Sequence, residues 1–101
     1  MSVGGFSETK PATPEIQKIA DQVKPELEKR TGEKYPDFDA ISFRYQIVHG
    51  TNYLIKVSIK KSKDECVHLM VYQSLPCDQK DPSLTSYQTG KTKDDPLEPF
   101  H

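Results

Sequence analysis

The sequence predicts an α+β fold in which one N-terminal helix lies across an antiparallel sheet, and three observations carry the prediction. Apolar residues first repeat at helical spacing, at Ile16, Ile19, Ala20, Val23 and Leu27. From residue 39 onward they repeat at every second position, the period of a half-buried strand. The connections between those strands are short and turn-rich, as hairpins require, which makes the neighbours antiparallel. A helix with one apolar stripe and a sheet with one apolar face bury both by packing together.

The elements follow in order. Met1 to Ala12 carries Gly4 and Gly5 and shows no periodicity, so residues 1–12 read as a flexible arm. Thr13 is a good N-cap, Pro14 suits the first helical position, and Glu15 favours the positive helix end. The helix is expected over about 13–31, with Gln17, Lys18, Gln22, Glu26 and Lys29 on its solvent face and Gly32 as its stop. Pro25 removes one hydrogen bond and clashes with the carbonyl of Asp21, so a kink or a bend is expected there. Tyr35-Pro36 ends any helical continuation. Strands are expected at about 39–48, 52–60, 66–73 and 84–89, within a sheet region of about 39–90. Residues 91–101, with Pro96 and Pro99, read as a C-terminal tail.

Length and composition bound the function. The 101 residues make one domain, 1–101, long enough to bury a single core. The hydrophobic fraction is 34%, well below the roughly 45–50% of an average domain even with the five glycines added, so the core is small. Net charge is −1, from 14 basic and 15 acidic residues, which provides no long-range attraction to nucleic acid or an anionic membrane. Lys60-Lys61-Ser62-Lys63 is followed at once by Asp64-Glu65 and reads as a solvated turn. No stretch has the length of a membrane span, and Met1 to Lys10 lacks the apolar core of a signal peptide. Cys66 and Cys77 would stand ~30 Å apart along an extended strand at ~3.3 Å per residue, whereas a disulfide needs under ~7 Å. A reducing, cytoplasmic setting is expected.

The candidate site is the tip of the first hairpin. Ile41, Phe43, Tyr45 and Ile47 alternate on one side, and Tyr53, Ile55, Val57 and Ile59 on the other. Between them Gln46-Ile47-Val48-His49-Gly50 carries apolar residues into the bend, where a simple turn would be polar. An exposed apolar tip asks for a partner. Leu75-Pro76 follows the third predicted strand, and in a meander that turn lies at the same end as the hairpin tip. With the Gly4-Gly5 arm, these segments would form one thin ridge, a shape suited to entering a groove rather than to enclosing a substrate. Taken singly, each has an ordinary explanation: hairpin geometry, a loop, a loose terminus. Three scattered histidines and two distant cysteines form no metal site, and no nucleophile-and-base pattern or phosphate loop appears. No catalytic residue, metal or cofactor is expected.

Taken together, the motifs resemble the stefins, the intracellular type 1 branch of the cystatins, which inhibit papain-like cysteine proteases, and look closer to the A-type stefins. The resemblance rests on Gly4-Gly5, Lys10-Pro11-Ala12-Thr13-Pro14-Glu15-Ile16-Gln17, Gln46 to Gly50 with Thr51-Asn52-Tyr53, Ser74-Leu75-Pro76, and Lys93-Asp94-Asp95 with Phe100. It implies a curved sheet of four to five strands and no enzymatic activity. It further implies a protease-binding ridge made of Val3, Gly4, Gly5, Gln46, Ile47, Val48, His49, Gly50, Leu75 and Pro76. The partners implied are lysosomal cathepsins and papain, with no nucleic acid and no membrane. The chain is expected to be a monomer, with a domain-swapped dimer reachable if the first loop opens. His49 stands where many stefins have alanine; its imidazole is expected to weaken binding at acidic pH if it approaches the protease's own imidazolium. Pro96, Pro99 and His101 depart from the usual tail. Two rival readings are a small enzyme using Cys77 with a histidine, and a binding module that turns the same wedge on a non-protease partner.

Overall fold

A computed structural model describes residues 5–59, 65–75 and 80–98. It contains one helix, α1 (Pro14–Thr31), and five strands: β1 (Lys10–Pro11), β2 (Asp39–Val48), β3 (Gly50–Ser58), β4 (Cys66–Gln73) and β5 (Ser83–Lys91). The strands form one antiparallel sheet in the order β1-β2-β3-β4-β5. The helix and the alternating strands are therefore as the sequence predicts. β1 adds a fifth strand inside what reads as a loose arm.

Helix α1 begins and ends for local reasons. Thr13 is extended, and its hydroxyl accepts the Ile16 N–H at 3.3 Å. At the other end Gly32 adopts φ 75° and returns its N–H to the Glu28 carbonyl at 2.9 Å. The helix runs unbroken through Pro25. Pro25 and Asp21 are both exposed, so the carbonyl that the proline deprives of a donor can turn to water.

Ile16, Ala20, Val23 and Leu27 bury the helix stripe against Phe43, Ile55, Val57, Val67, Leu69, Val71 and Leu84. Gln17, read from the sequence as a solvent-facing residue, helps to lock this arrangement. Its amide donates to the Phe38 carbonyl at 2.9 Å and accepts from the Ala40 N–H at 2.8 Å. A side chain thus pairs with the start of β2 just before its irregularity between Ala40 and Ser42.

The second face of the sheet corrects the expectation of a single apolar face. β4 is buried continuously from Cys66 to Val71. Leu54 and Met70 pack on the side away from the helix with Leu97 and Phe6. Residues 91–101 are accordingly not a free tail over their described part: Leu97 is only 4% exposed. Lys56, itself buried, donates its ammonium to the carbonyls of Lys93 and Asp95. The arm is likewise anchored from Ser7, whose N–H donates to the Tyr45 carbonyl at 2.7 Å. No helix among the described residues is long and apolar enough to cross a membrane.

His68 lies opposite Lys56 on β4, 1% exposed, and its Nε2 has no hydrogen-bond partner among the described residues. Burial lowers its pKa from 6.5 to about 4, the Lys56 and Lys91 cations push the same way, and Asp95 opposes them. An unfolded chain takes up this proton below pH 6.5, whereas the folded chain resists until about pH 4. The His68 contribution to stability is therefore whole above pH 6.5, declines as pH falls, and is lost below about pH 4. The loss is on the order of 3 kcal/mol. Urea midpoints of wild type and His68→Leu between pH 4 and 7 check this. The wild type should lose stability more steeply on acidification, and parallel curves would discard the assignment.

Candidate functional site

The hairpin joining β2 and β3 turns on a single residue. Gln46 pairs with Asn52, Ile47 with Thr51 and Val48 with Gly50, which leaves His49 alone at the bend. Strand alternation would hide half of these side chains, yet Ile47 is 69% and Val48 43% exposed. They are the exposed large hydrophobics among the described residues. Two apolar side chains held largely in water at the end of a hairpin form a surface suited to a partner.

Gly50 explains how so tight a turn is possible. It has φ +108°, a conformation that a side chain strains. It is also buried, unlike the three residues before it. A methyl built there would lie 2.6 Å from the Gln73 carbonyl oxygen and 2.6 Å from the Tyr72 hydroxyl. The missing side chain lets the end of β4 press directly against the hairpin. Tyr72 then donates its hydroxyl to the His49 carbonyl, and Asn52 donates to the Gln46 side chain at 3.0 Å. The bend is thus fixed from β4 as well as from within.

The same contact brings the second loop alongside. Thr51 pairs with Gln73, so Ser74 and the half-buried Leu75 begin the β4–β5 connection beside the hairpin tip. Gln73 donates to the Lys80 carbonyl at 3.0 Å and closes the base of that connection. The arm approaches from the other side. Lys10 pairs with Phe43 and Ser7 bonds Tyr45, so the chain leads backward along β2 toward Ile47. Exposed Gly5 lies two residues beyond Ser7 in that direction. Val3, Gly4 and Pro76 lie outside the described residues, as does Cys77.

Sequence reasoning thus named a set in which Gly5, Gln46 to Gly50 and Leu75 gather at one end of the sheet. It placed Gly50 with the exposed tip, and the structure buries it. It missed Tyr72, Gln73 and Ser7, which hold the three segments in place. The only sequence signal for Tyr72 is its position at the end of the third alternating run, two residues before Ser74-Leu75.

The helix side of the tip is an open groove of about 420 Å³, lined among others by Ile16, Ile19, Phe43, Tyr45, Ile47 and Tyr53. Burial, and then the Glu15 carboxylate, raise the pKa of the Tyr53 phenol, against a hydrogen bond from the Thr51 side chain. The phenol stays neutral beside the exposed Ile47, while Thr13, Glu15 and Thr51 give the groove a polar side. Among the described residues no group of histidine, cysteine or carboxylate side chains could hold a metal ion.

Comparisons with known proteins bear on the family of the chain. A model of the cystatin domain matches residues 4–94. Stefin-C of Bos taurus is 52% identical over 99 residues, covering 98% of this chain and 96% of its own length. Cystatin-A of Homo sapiens is 50% identical over 100 residues, covering 99% of this chain and all of its own. A Sus scrofa protein named leukocyte cysteine proteinase inhibitor 1 is 52% identical over 101 residues, covering 99% of this chain and 95% of its own.

The Gly50 contact yields a direct test. Gly50→Ala must accept both a strained φ and two overlaps, at a combined cost of about 2–4 kcal/mol. Chemical denaturation measures it. An unchanged midpoint would mean that Gly50 does not hold the turn against β4.

Proposed function

Because the chain belongs to the cystatin family, in its stefin branch, we propose that it is a reversible, tight-binding inhibitor of papain-like cysteine proteases such as papain and the lysosomal cathepsins. The proposed mechanism is occlusion. The tip from Gln46 to Gly50 enters the active-site cleft beside the catalytic cysteine and histidine. The arm, with Val3, Gly4 and Gly5, occupies the substrate-side subsites, and Leu75-Pro76 covers the leaving-group side.

The observation that carries this reading is the exposed Ile47–Val48 pair on a turn fixed from β4. Inserting the pair into a cleft removes apolar surface from water. Because the turn is already ordered, little conformational entropy remains to be lost on binding. Acyl transfer needs reacting atoms ~3–3.5 Å apart and aligned. The tip turns tightly at His49 instead of lying extended across the nucleophile, so no peptide bond is offered for cleavage. The relative named as a cysteine proteinase inhibitor supports the same activity here.

The reading implies an active monomer in the cytoplasm. A chain that exchanged its helix and first strands with a second copy would have to open the bend at His49. It would then lose the tip and its inhibition.

Titration against active papain tests the proposal. Val48→Asp should raise the inhibition constant by roughly 30- to 1,000-fold, the range of a buried anchor, with the melting temperature held. A form lacking residues 1–5 should also bind more weakly. Inhibition by Val48→Asp equal to that of wild type would remove the tip from the contact. Tight binding of wild type to a non-protease partner with no effect on papain would favour the binding-module alternative.

A further inference from the structure

Arg44 lies on β2, on the face away from the helix, opposite Leu54. Its guanidinium reaches two segments far apart in the chain. Nε donates to the Ser7 carbonyl at 2.8 Å, and Nη1 donates to the Leu97 carbonyl at 2.7 Å. The same group stands 6.0 Å from the centroid of the Phe6 ring, which packs with Leu54, Met70 and Leu97. Ser7 is then held on its other side by Tyr45, through its N–H at 2.7 Å and its hydroxyl at 3.1 Å. Together with the packed Phe6 ring, this junction anchors the described start of the arm.

We propose that Arg44 is a positioning residue that clamps the root of the N-terminal arm to the C-terminal segment and so fixes the direction in which the arm leaves the sheet. The inference rests on the inhibitory reading and deepens it. The chemistry requires arginine. A planar guanidinium offers several donors in a fixed fork and can serve two carbonyls at once, while its positive charge stands over an aromatic ring. A lysine ammonium donates from a single nitrogen, so it serves two carbonyls only where they converge, as those of Lys93 and Asp95 do on Lys56, and it has neither the fork nor the planar face. With the clamp in place, the arm meets a protease with its root already ordered. Without it, that ordering occurs on binding and weakens the complex, chiefly through faster dissociation.

A double-mutant cycle on the full chain separates positioning from general stability. Arg44→Ala should weaken papain inhibition by roughly 10-fold, with Arg44→Lys between it and wild type. Val3→Asp disables the arm's own contact. In that background Arg44→Ala should cost less than about 2-fold, because an idle arm gains nothing from its direction. Equal losses in both backgrounds would overturn the proposal. Amide exchange of the unbound chain gives a second reading: Arg44→Ala should speed exchange at Ser7 at least several-fold while Gly32, bonded to Glu28, is unaffected. An unchanged Ser7 rate would overturn the clamp itself. Wild type that fails to inhibit papain would instead overturn the inhibitory reading, and the Ser7 rate would still decide whether the clamp exists.

Discussion

The close approach of β4 to Gly50 is the constraint on which the hairpin-tip end of the molecule depends. Where any other residue would place a Cβ, the Gln73 carbonyl and the Tyr72 ring already stand. That contact does two things. It lets the β2–β3 hairpin close on His49 alone, which keeps Ile47 and Val48 turned outward. It also sets the exit of β4 beside the hairpin tip, so that Leu75 begins its loop there. The spatial relation of two loops separated by more than twenty residues of sequence is therefore decided by one missing side chain. A glycine in a strand that admits another backbone at close range is a recurring device. Here its yield is alignment.

The face away from the helix obeys a different logic. The described residues after β5 make no strand pairing, so their backbone carbonyls need other donors where they meet the sheet. The chain turns over Thr92–Asp95, where the Asp95 N–H donates to the Thr92 carbonyl at 3.2 Å. The carbonyls of Lys93, Asp95 and Leu97 meet donors that stand on the sheet. Lys56 serves the first two and Arg44 the third. Two cations standing on the sheet thus take the place of a sixth strand. This resolves an apparent contradiction in the sequence, which places Lys56 and His68 in the middle of strands whose neighbours are buried on both sides. Lys56 is tolerated there because its ammonium donates to two backbone carbonyls. His68 is tolerated because it stays neutral, its proton disfavoured by burial and by that same ammonium.

What the sequence made legible follows from which signals are local. Thr13, Pro14 and Gly32 mark the helix ends because caps act within one turn, and the apolar stripe through Leu27 shows which side is buried. The strands are legible from alternation, and the tip from apolar residues in a bend. The rest depends on contacts across the chain. Gln17 sits on the polar side of the stripe, and only the approach of Phe38 and Ala40 gives its amide a role. Residues 93–97 lack any periodicity, because a segment held through alternate carbonyls needs no pattern of side chains beyond Leu97. Ser7 reads as an ordinary arm residue until Tyr45 is placed beside it. Gly50 reads as a turn glycine, and its burial appears only when β4 is brought into register.

The economy of apolar residues gives the exposed tip its weight. With a hydrophobic fraction of only 34%, nearly every large aliphatic side chain of the described chain is drawn into one of two clusters. Phe6 and Leu97, at opposite ends, are recruited to cover Leu54 and Met70. In such a chain Ile47 and Val48 would be the first candidates for burial if stability alone governed their placement, since hiding each is worth roughly 1.5–3 kcal/mol. They are held out of the core by a turn pinned at Gly50 and through the Tyr72 hydroxyl. A loose loop could fold such residues back over the sheet; a bend fixed by Gly50 and Tyr72 prevents it. Rigidity and exposure are therefore one property, and together they describe an apolar surface whose shape is set before any partner meets it.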